Sequence, residues 1–320
     1  MRLPDRPARL ALATCAARPS IDPDDVHLAA TLAQLGVPPT VCVWNDAQVD
    51  WSAFDLVLIR TIWDYHKHHA AFGQWLDRLD RLGVATVNDS RLLRWNSDKR
   101  YLFELARLGV ATIPTRAAPG VDLPRMLAAT PAQAVVIKPV VSGGAWHTLR
   151  GEVGDPRFAA AVAALPRGID FLVQPYVPEI ATAGEWSLLY FGGEFSHAVI
   201  KRPAAGDYRV QSEFGGSSES VTPSAITRAG ADRALVALAA AGHGVPAYAR
   251  VDGVVSGDRF ALMELELIEP FLFLADQPRA AEHLARIVAA HPALRRARAT
   301  MDEPPFPDPG MGDLMAIGRN

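Results

Sequence analysis

Between Arg250 and Pro270 the chain reads RVDGVVSGDRFALMELELIEP, an apolar β-hairpin with carboxylates inside it. Val251–Val255 and Phe260–Ile268 have the β-branched and aromatic content of strands, and Ser256-Gly257-Asp258-Arg259 supplies turn chemistry between them. Side chains alternate faces along a strand, so Glu264 and Glu266 point the same way. With an odd number of residues in the turn, Asp252 lies opposite Glu264 on that same face. Three carboxylates on a mostly buried face repel one another and are poorly solvated, so they need raised pKa values or a cation. An all-oxygen site of this kind suits Mg²⁺ or Mn²⁺. The competing reading is an edge strand with both glutamates exposed and paired with Arg250 or Arg259.

A chain of 320 residues is long enough for two or three domains with their own cores. Its 49% hydrophobic and 21% charged content is that of an ordinary globular protein. A net charge of −3 gives no global basic field, so no nucleic-acid partner is expected and any anionic ligand must be held by local positive charge. No apolar stretch approaches the ~18 residues of a membrane span. Arg2, Arg6 and Arg9 before LALATCAA imitate a signal peptide, but the short apolar run leads straight into a helix-forming segment and reads as a first strand. Cys15 and Cys42 are too few for a disulfide framework or a Cys-rich metal site. They are expected to be buried thiols of a cytoplasmic protein.

Residues 9–94 alternate strands (Arg9–Cys15, Thr40–Trp44, Leu56–Arg60, Ala85–Asn88) with amphipathic helices (Asp24–Leu35, Ala70–Leu82). That spacing means parallel strands with crossover helices, and ligands gather at the carboxyl ends of such strands. Beyond them the pattern predicts a helix over Asp98–Leu108, capped by Ser97 and stopped by Gly109, and strands at Ile113–Thr115, Ala134–Val140 and Phe171–Val177. Helices are expected at Leu123–Ala129 and Pro156–Leu165, and a hairpin over Gly184–Pro203 turning at Gly192-Gly193. A helix at Ser224–Ala241 precedes the acidic hairpin and another at Ala280–Ala290 follows it. The fold class is thus an α/β N-terminal domain (1–94) followed by a two-lobed α+β module (95–170 and 171–300). A Pro/Gly-rich tail over 301–320 reads as mobile.

Lys138 ends the apolar strand AVVIKP just before a small-residue loop, Ser142-Gly143-Gly144-Ala145, and Lys99 opens a helix. Small residues let backbone N–H groups approach phosphate oxygens, and such a loop can close as a lid. Surface turns use the same residues, and a lysine at a helix end is often only solvated. FLVQPYV breaks at Pro178, leaving backbone groups for a flat heterocycle and Glu185 for sugar hydroxyls, or simply ending a strand. Arg209 precedes Gly215-Gly216, and its fork suits phosphoryl charge unless it is a solvated loop residue.

The order Lys99, Lys138, SGG loop, QPYVPE, Glu185, Arg209…GG, Asp252, Glu264, Glu266 resembles the ATP-grasp ligase superfamily, with spacing most similar to glutathione synthetase and the ribosomal-protein glutamate ligases. The resemblance covers residues 90–290 and implies an ATP-grasp module after the first domain. It implies that Lys99 and Lys138 bind nucleotide phosphates, with Lys201 adding a contact, and that Ser142, Gly143 and Gly144 cover them. It places adenine on the hinge Gln174–Val177, including Tyr176 and Val177, and ribose on Glu185. Arg209, with Lys138, stabilises the transferring phosphoryl group, and Asp252, Glu264 and Glu266 hold Mg²⁺ or Mn²⁺. Two positions depart from the family pattern: E-x-N is E-L-E here, and Gln211 stands where Asn is common.

The implied chemistry is phosphorylation of a carboxylate by ATP and attack on the acyl phosphate by an amine-type nucleophile, with no protein nucleophile. A phosphate-forming kinase without an amine acceptor and a non-catalytic nucleotide-binding module are the alternatives. RTIWDYH followed by RWNSDKRYL resembles the cycloserine-forming O-ureido-D-serine cyclo-ligase subgroup, an antibiotic-biosynthesis activity. That resemblance implies an amino-acid-like small-molecule substrate and intramolecular ring closure. Arg60 would pair with a substrate carboxylate, and Trp63, Asp64 and Tyr65 would line the pocket, unless Trp63 and Tyr65 only pack the domain interface. His147 is a further candidate contact, and a homodimer stays open.

Overall fold

The N-terminal strands β1 (Leu10–Thr14), β2 (Pro39–Val43), β3 (Leu56–Thr61) and β4 (Ala85–Thr86) form a parallel sheet in the order β2-β1-β3-β4. The computed structural model describes residues 8–210 and 214–302. Helices α1 (Val26–Gln34) and α2 (His69–Leu82) make the crossovers, as the alternation of apolar runs requires. One face of the sheet packs on α2 through Trp44, Trp51, Phe72 and Trp75, together with the buried thiols Cys15 and Cys42.

The helix expected over Asp98–Leu108 is α4 (Tyr101–Arg107), and a separate helix that was not expected, α3 (Ser90–Asn96), precedes it. Asp89 caps α3 by accepting from the Leu92 N–H at 2.8 Å. Ser97 therefore closes α3 rather than opening the next helix, and Asp98 caps Arg100. The central lobe follows with β5 (Arg116–Pro119), α5 (Leu123–Ala128), β6 (Ala134–Pro139), β7 (Leu149–Glu152), α6 (Pro156–Ala163) and β8 (Asp170–Pro175). Its sheet is antiparallel in the order β5-β8-β6-β7. Two corrections arise here. Ile113–Thr115 is not a strand but a connector whose Ile113 N–H bonds Leu262 O. A lobe boundary at 170/171 would cut β8 from β5 and β6, so the central lobe extends through Pro175.

The last lobe holds α7 (Glu179–Thr182), β9 (Glu185–Phe191), β10 (Glu194–Arg202), β11 (Ser217–Ser220), α8 (Ala225–Ala240), β12 (Tyr248–Ser256), β13 (Arg259–Glu266), α9 (Pro278–Ala289) and α10 (Pro292–Asp302). Its five strands run in the order β11-β10-β9-β12-β13. Gly192 and Gly193 turn β9 into β10 at φ 58° and 82°, the left-handed geometry glycine accommodates. Helices α4 and α8 cover one face through Leu102, Leu105, Ala231, Ala234 and Leu238. Helix α9 packs on α1 and joins the N-terminal domain to the large sheet through Leu28, Leu32, Leu284, Leu189 and Tyr248. The expected tail begins two residues inside α10, and from 303 on it lies outside the described residues.

Polar side chains fasten the segment after β13 to the first domain. Asn88 donates to Tyr248 O and Leu267 O and accepts from the Ala247 N–H. Asn96 donates to Leu265 O and accepts from the Leu267 N–H, while Asp24 accepts from Leu272 and Ala275. Buried amides without such partners would each cost about 1–3 kcal/mol, so these clamps set the angle between the lobes.

Candidate active site

Register alone gathers a polar face on the large sheet. Lys201 stands opposite Glu185, Ser187 opposite Asp252, Asp252 opposite Glu264, and Arg250 opposite Glu266. Only Gly257 and Asp258 separate the paired residues Ser256 and Arg259, so the turn is even, not odd. A β-bulge between Asp252 and Gly253 restores the register and returns Asp252 to the face of Glu264. Glycine is required at the bulge: a β-carbon on Gly253 would fall 2.3 Å from the Phe260 ring and 2.6 Å from Ala261 O.

Cations from four stretches of chain meet these acids. Lys99 Nζ lies 2.5 Å from Glu264 Oε1 and donates to Ser142 O at 2.6 Å, and Lys138 Nζ lies 3.7 Å from Glu264 Oε2. Lys99 is thus a buried side chain of the cleft, not a solvated helix end. Lys201 Nζ is 2.6 Å from Glu185 and 3.4 Å from Asp252. Arg250 holds Asp252 through Nη2 at 2.9 Å and Glu266 at 2.5 Å, and Ser187 Oγ donates to Asp252 Oδ1.

Burial opposes the charge of every member, and the cations decide the outcome. Burial pushes Asp252 up, but Arg250 and Lys201 outweigh it and hold the carboxyl at about 2. Against the same burial, Lys99 and Lys138 lower Glu264. Glu266 is pushed up to about 7 by burial and by Asp252 and Glu264 beyond what Arg250 offsets. Glu269, which sequence reasoning passed over, is pushed up to about 8 by burial and by Glu266. Arg250 was also missed except as a surface ion-pair partner. Its place two residues before Asp252, hence on the same strand face, was the available signal.

Beside this cluster the Ser142–His147 loop turns through left-handed backbone at Gly144, Ala145 and His147. Gly143 packs against His66, and Trp146 stands 5.4 Å from the His66 ring centroid. His147 is exposed. At the hinge, Gln174 is buried and donates to Thr115 Oγ1 at 2.8 Å, and the Tyr176 N–H donates to Ala134 O. The Arg150 guanidinium stacks 3.9 Å above the Tyr176 ring, and the Val177 carbonyl accepts from Ile180.

Arg209 is not brought to the acidic face. It pairs with Asp207 at 2.7 Å and lies 3.7 Å over Phe214, while neighbouring Tyr208 donates to Thr148 O beside the glycine loop. Gln211 lies outside the described residues. In the first domain, Arg60 is 2% exposed, with Nε on Asp25 at 2.8 Å and Nη1 on Pro270 O at 3.1 Å. It is a clamp between domains, and the expected pairing with a substrate carboxylate is corrected accordingly. Tyr65 is core, packed on Phe72. Trp63 and Asp64 remain half-buried, Trp63 Nε1 donating to Glu269 O and Asp64 accepting from Trp44 Nε1.

The donor set suits a hard divalent cation, since Asp252, Glu264 and Glu266 offer only carboxylate oxygens. Among the described residues, however, no group of three or more His, Cys, Asp or Glu side chains converges on one point. Arg250 and the lysines hold these acids instead. No helix among the described residues is long and apolar enough to cross a membrane.

Lysines of a central lobe facing acids on the sheet of a last lobe, behind a small parallel domain, define the architecture of an ATP-grasp ligase. Residues 10–88 match the family model of the D-cycloserine synthetase DcsG N-terminal domain. The cycloserine biosynthesis protein DcsG of Streptomyces lavendulae is 34% identical over 200 residues, which is 60% of this chain and 67% of that protein. The crystal structure of D-cycloserine synthetase DcsG superposes with a TM-score of 0.79 at 30% identity, covering 91% of this chain and 100% of that one. The D-alanine–D-alanine ligase of Bacillus anthracis, in complex with ATP, shares the fold with a TM-score of 0.66 at 16% identity, covering 91% and 99%. The chain belongs to the D-cycloserine synthetase family of ATP-grasp ligases.

Proposed function

We propose that this protein is an ATP-dependent ligase that converts a small amino-acid carboxylate to an acyl phosphate and joins that carbon to an amine-type nitrogen. A carboxylate oxygen attacks the terminal phosphorus of ATP and ADP leaves. A nitrogen then attacks the acyl carbon and phosphate leaves. Family membership favours this over a phosphate-forming kinase or a non-catalytic nucleotide binder. Ring closure within one molecule, on a serine substituted at its side-chain oxygen, is the form proposed, by kinship with the cycloserine enzyme.

The observation that carries the reading is the meeting of Lys99 and Lys138 on Glu264, opposite Asp252 across the hairpin. With nucleotide bound, these lysines and Lys201 turn to phosphate oxygens, under cover of Ser142, Gly143 and Gly144. Gln174, Tyr176 and Val177 border the base, and Glu185 takes the ribose. Asp252, Glu264 and Glu266 would hold Mg²⁺, or Mn²⁺, which when bound neutralises phosphate charge. Arg209 keeps its proposed role at the transferring phosphoryl group, supported by Tyr208, which ties its loop to the segment following the glycine loop.

The test is a phosphate-release screen with ATP and Mg²⁺ against amino acids and O-substituted serines, with mass spectrometry of products. One class of amino acid is expected to stimulate release, and Arg209→Ala to abolish it while nucleotide still binds. Full turnover in both Arg209→Ala and Glu264→Gln would overturn the site assignment. Release that needs no amino acid, or none with any, would overturn the ligase reading.

A further inference from the structure

Strand β13 is the last strand of the large sheet, so its outer backbone groups must be satisfied from outside the sheet. At Leu262 the N–H bonds Ala111 O and the C=O accepts from the Ile113 N–H. At Leu267, just past the strand, Asn96 accepts from the N–H and Asn88 donates to the C=O. Leu265, between Glu264 and Glu266, is held differently. The Tyr101 hydroxyl donates to Leu265 O at 2.9 Å and accepts from the Leu265 N–H at 2.8 Å. Asn96 adds a bond to the same carbonyl at 2.7 Å.

A tyrosine hydroxyl has one proton to donate and lone pairs with which to accept. Tyr101 uses both on a single residue, reproducing the two bonds that a residue of a neighbouring antiparallel strand exchanges with its opposite. One side-chain oxygen thus stands in for a sixth strand at the midpoint of Glu-Leu-Glu. Tyr101 and Leu265 are 4% and 1% exposed, so water does not compete for these bonds. The Leu265 side chain lies in the core cluster that holds Leu102 and Leu105, while the alternation of faces sends the carboxyls of Glu264 and Glu266 to the cleft. Their backbone is gripped from both sides, by β12 inward and by Tyr101 outward. Lys99 comes from the same turn between α3 and α4, two residues before Tyr101, and its ammonium meets Glu264. The turn delivers the cation and the backbone grip as one unit.

We propose that Tyr101 is a positioning residue: its hydroxyl, bound to the backbone of Leu265, fixes Glu264 and Glu266 relative to Lys99 and thereby sets the affinity for a metal–nucleotide complex that it does not touch. The proposal rests on the assignment of this face to metal and nucleotide above. Removing the hydroxyl leaves the buried Leu265 N–H unpaired, and the strand relieves that by shifting, which displaces both carboxyls.

The test is calorimetric titration of ADP, with Mg²⁺ and separately in EDTA, into the wild type and Tyr101→Phe, with urea denaturation of each. Tyr101→Phe is expected to bind ADP about tenfold more weakly with Mg²⁺ and close to the wild type in EDTA. Tyr190→Phe is the control for a merely structural loss, because it removes a phenol hydroxyl from the same sheet, one that donates to Asp232 at 2.7 Å. It should lower the urea midpoint and leave both affinities unchanged. Asn96→Ala, which takes the second donor from Leu265 O, should weaken Mg²⁺-dependent binding in the same direction and guards against a Tyr101→Phe protein that does not fold. Wild-type Mg²⁺-dependent affinity in Tyr101→Phe, or in Asn96→Ala if only that variant folds, overturns the proposal. So does a loss of the same size in EDTA or in Tyr190→Phe. A wild type that binds ADP no better with Mg²⁺ than in EDTA overturns the metal assignment itself, and the proposal with it.

Discussion

The molecule buries charge in two places and uses it differently. In the first domain, Arg60 and Asp25 form one pair, 2% and 1% exposed, completed by the Pro270 carbonyl. Burial works against the guanidinium charge, and Asp25 beside it keeps Arg60 protonated. On and just beyond the large sheet, the acids Glu185, Asp252, Glu264, Glu266 and Glu269 face, among the described residues, the cations Lys99, Lys138, Lys201 and Arg250. Burial raises Glu266 and Glu269, with neighbouring carboxylates adding to it, and burial raises Asp25 of the first pair as well. Burial of charge therefore does not mark a site. Unbalanced charge, converging from separate lobes and reorganised when a ligand arrives, does.

The comparison breaks most sharply at Arg60. Arg60→Ala should cost about 3–5 kcal/mol of stability by stranding Asp25, and Arg60→Met with Asp25→Leu should recover most of it. Urea denaturation measures both, and a folded Arg60→Ala protein should keep its KM for ATP; a raised KM would move Arg60 into the site. Glu264→Gln comes next, weakening Mg²⁺-nucleotide binding by about 1.5–3 kcal/mol, or about tenfold to a hundredfold, read by calorimetry with ADP. Unchanged affinity would make the acidic face structural, like Arg60–Asp25. Glu269 supplies a smaller effect. Its folded carboxyl keeps a proton up to about 8, whereas the unfolded one loses it near 4.5. Folded protein thus holds one more proton across that window, and stability from Glu269 is full below pH 4.5 and lost as pH rises through about 8. Glu269→Gln should flatten this part of the profile in EDTA-treated protein.

What the sequence disclosed follows the range of each signal. Alternation gave the parallel sheet, and period-two spacing put Glu264 and Glu266 on one face, because both are local rules. The even turn and its bulge escaped notice because Gly253 reads as an ordinary strand glycine until the Phe260 ring is seen beneath it. The extra helix α3 was written at Asp89, a cap three residues before Leu92, but Asn88-Asp89 was taken as a strand end. Arg60 looked like a ligand at a strand terminus because its partner Asp25 is 35 positions away and nothing local announces the pair. His66 and Glu269 lie on segments far apart in the chain that meet only once it is folded, so neither could be placed beforehand.

Arg209 represents a third condition of charge, neither buried nor shared between lobes. Its guanidinium is paired with Asp207 two residues away and stacked on Phe214, and its side chain is 35% exposed. Exposed local pairs contribute little to folding, so Arg209→Ala should leave the urea-denaturation midpoint nearly unchanged, the smallest change in the set. Because the same substitution is expected to abolish phosphate release, it separates the two properties that the acidic face entangles. A loss of stability comparable to that of Arg60→Ala would instead show Arg209 to be a lobe clamp, and the division between charge that holds the fold and charge that serves the reaction would have to be redrawn.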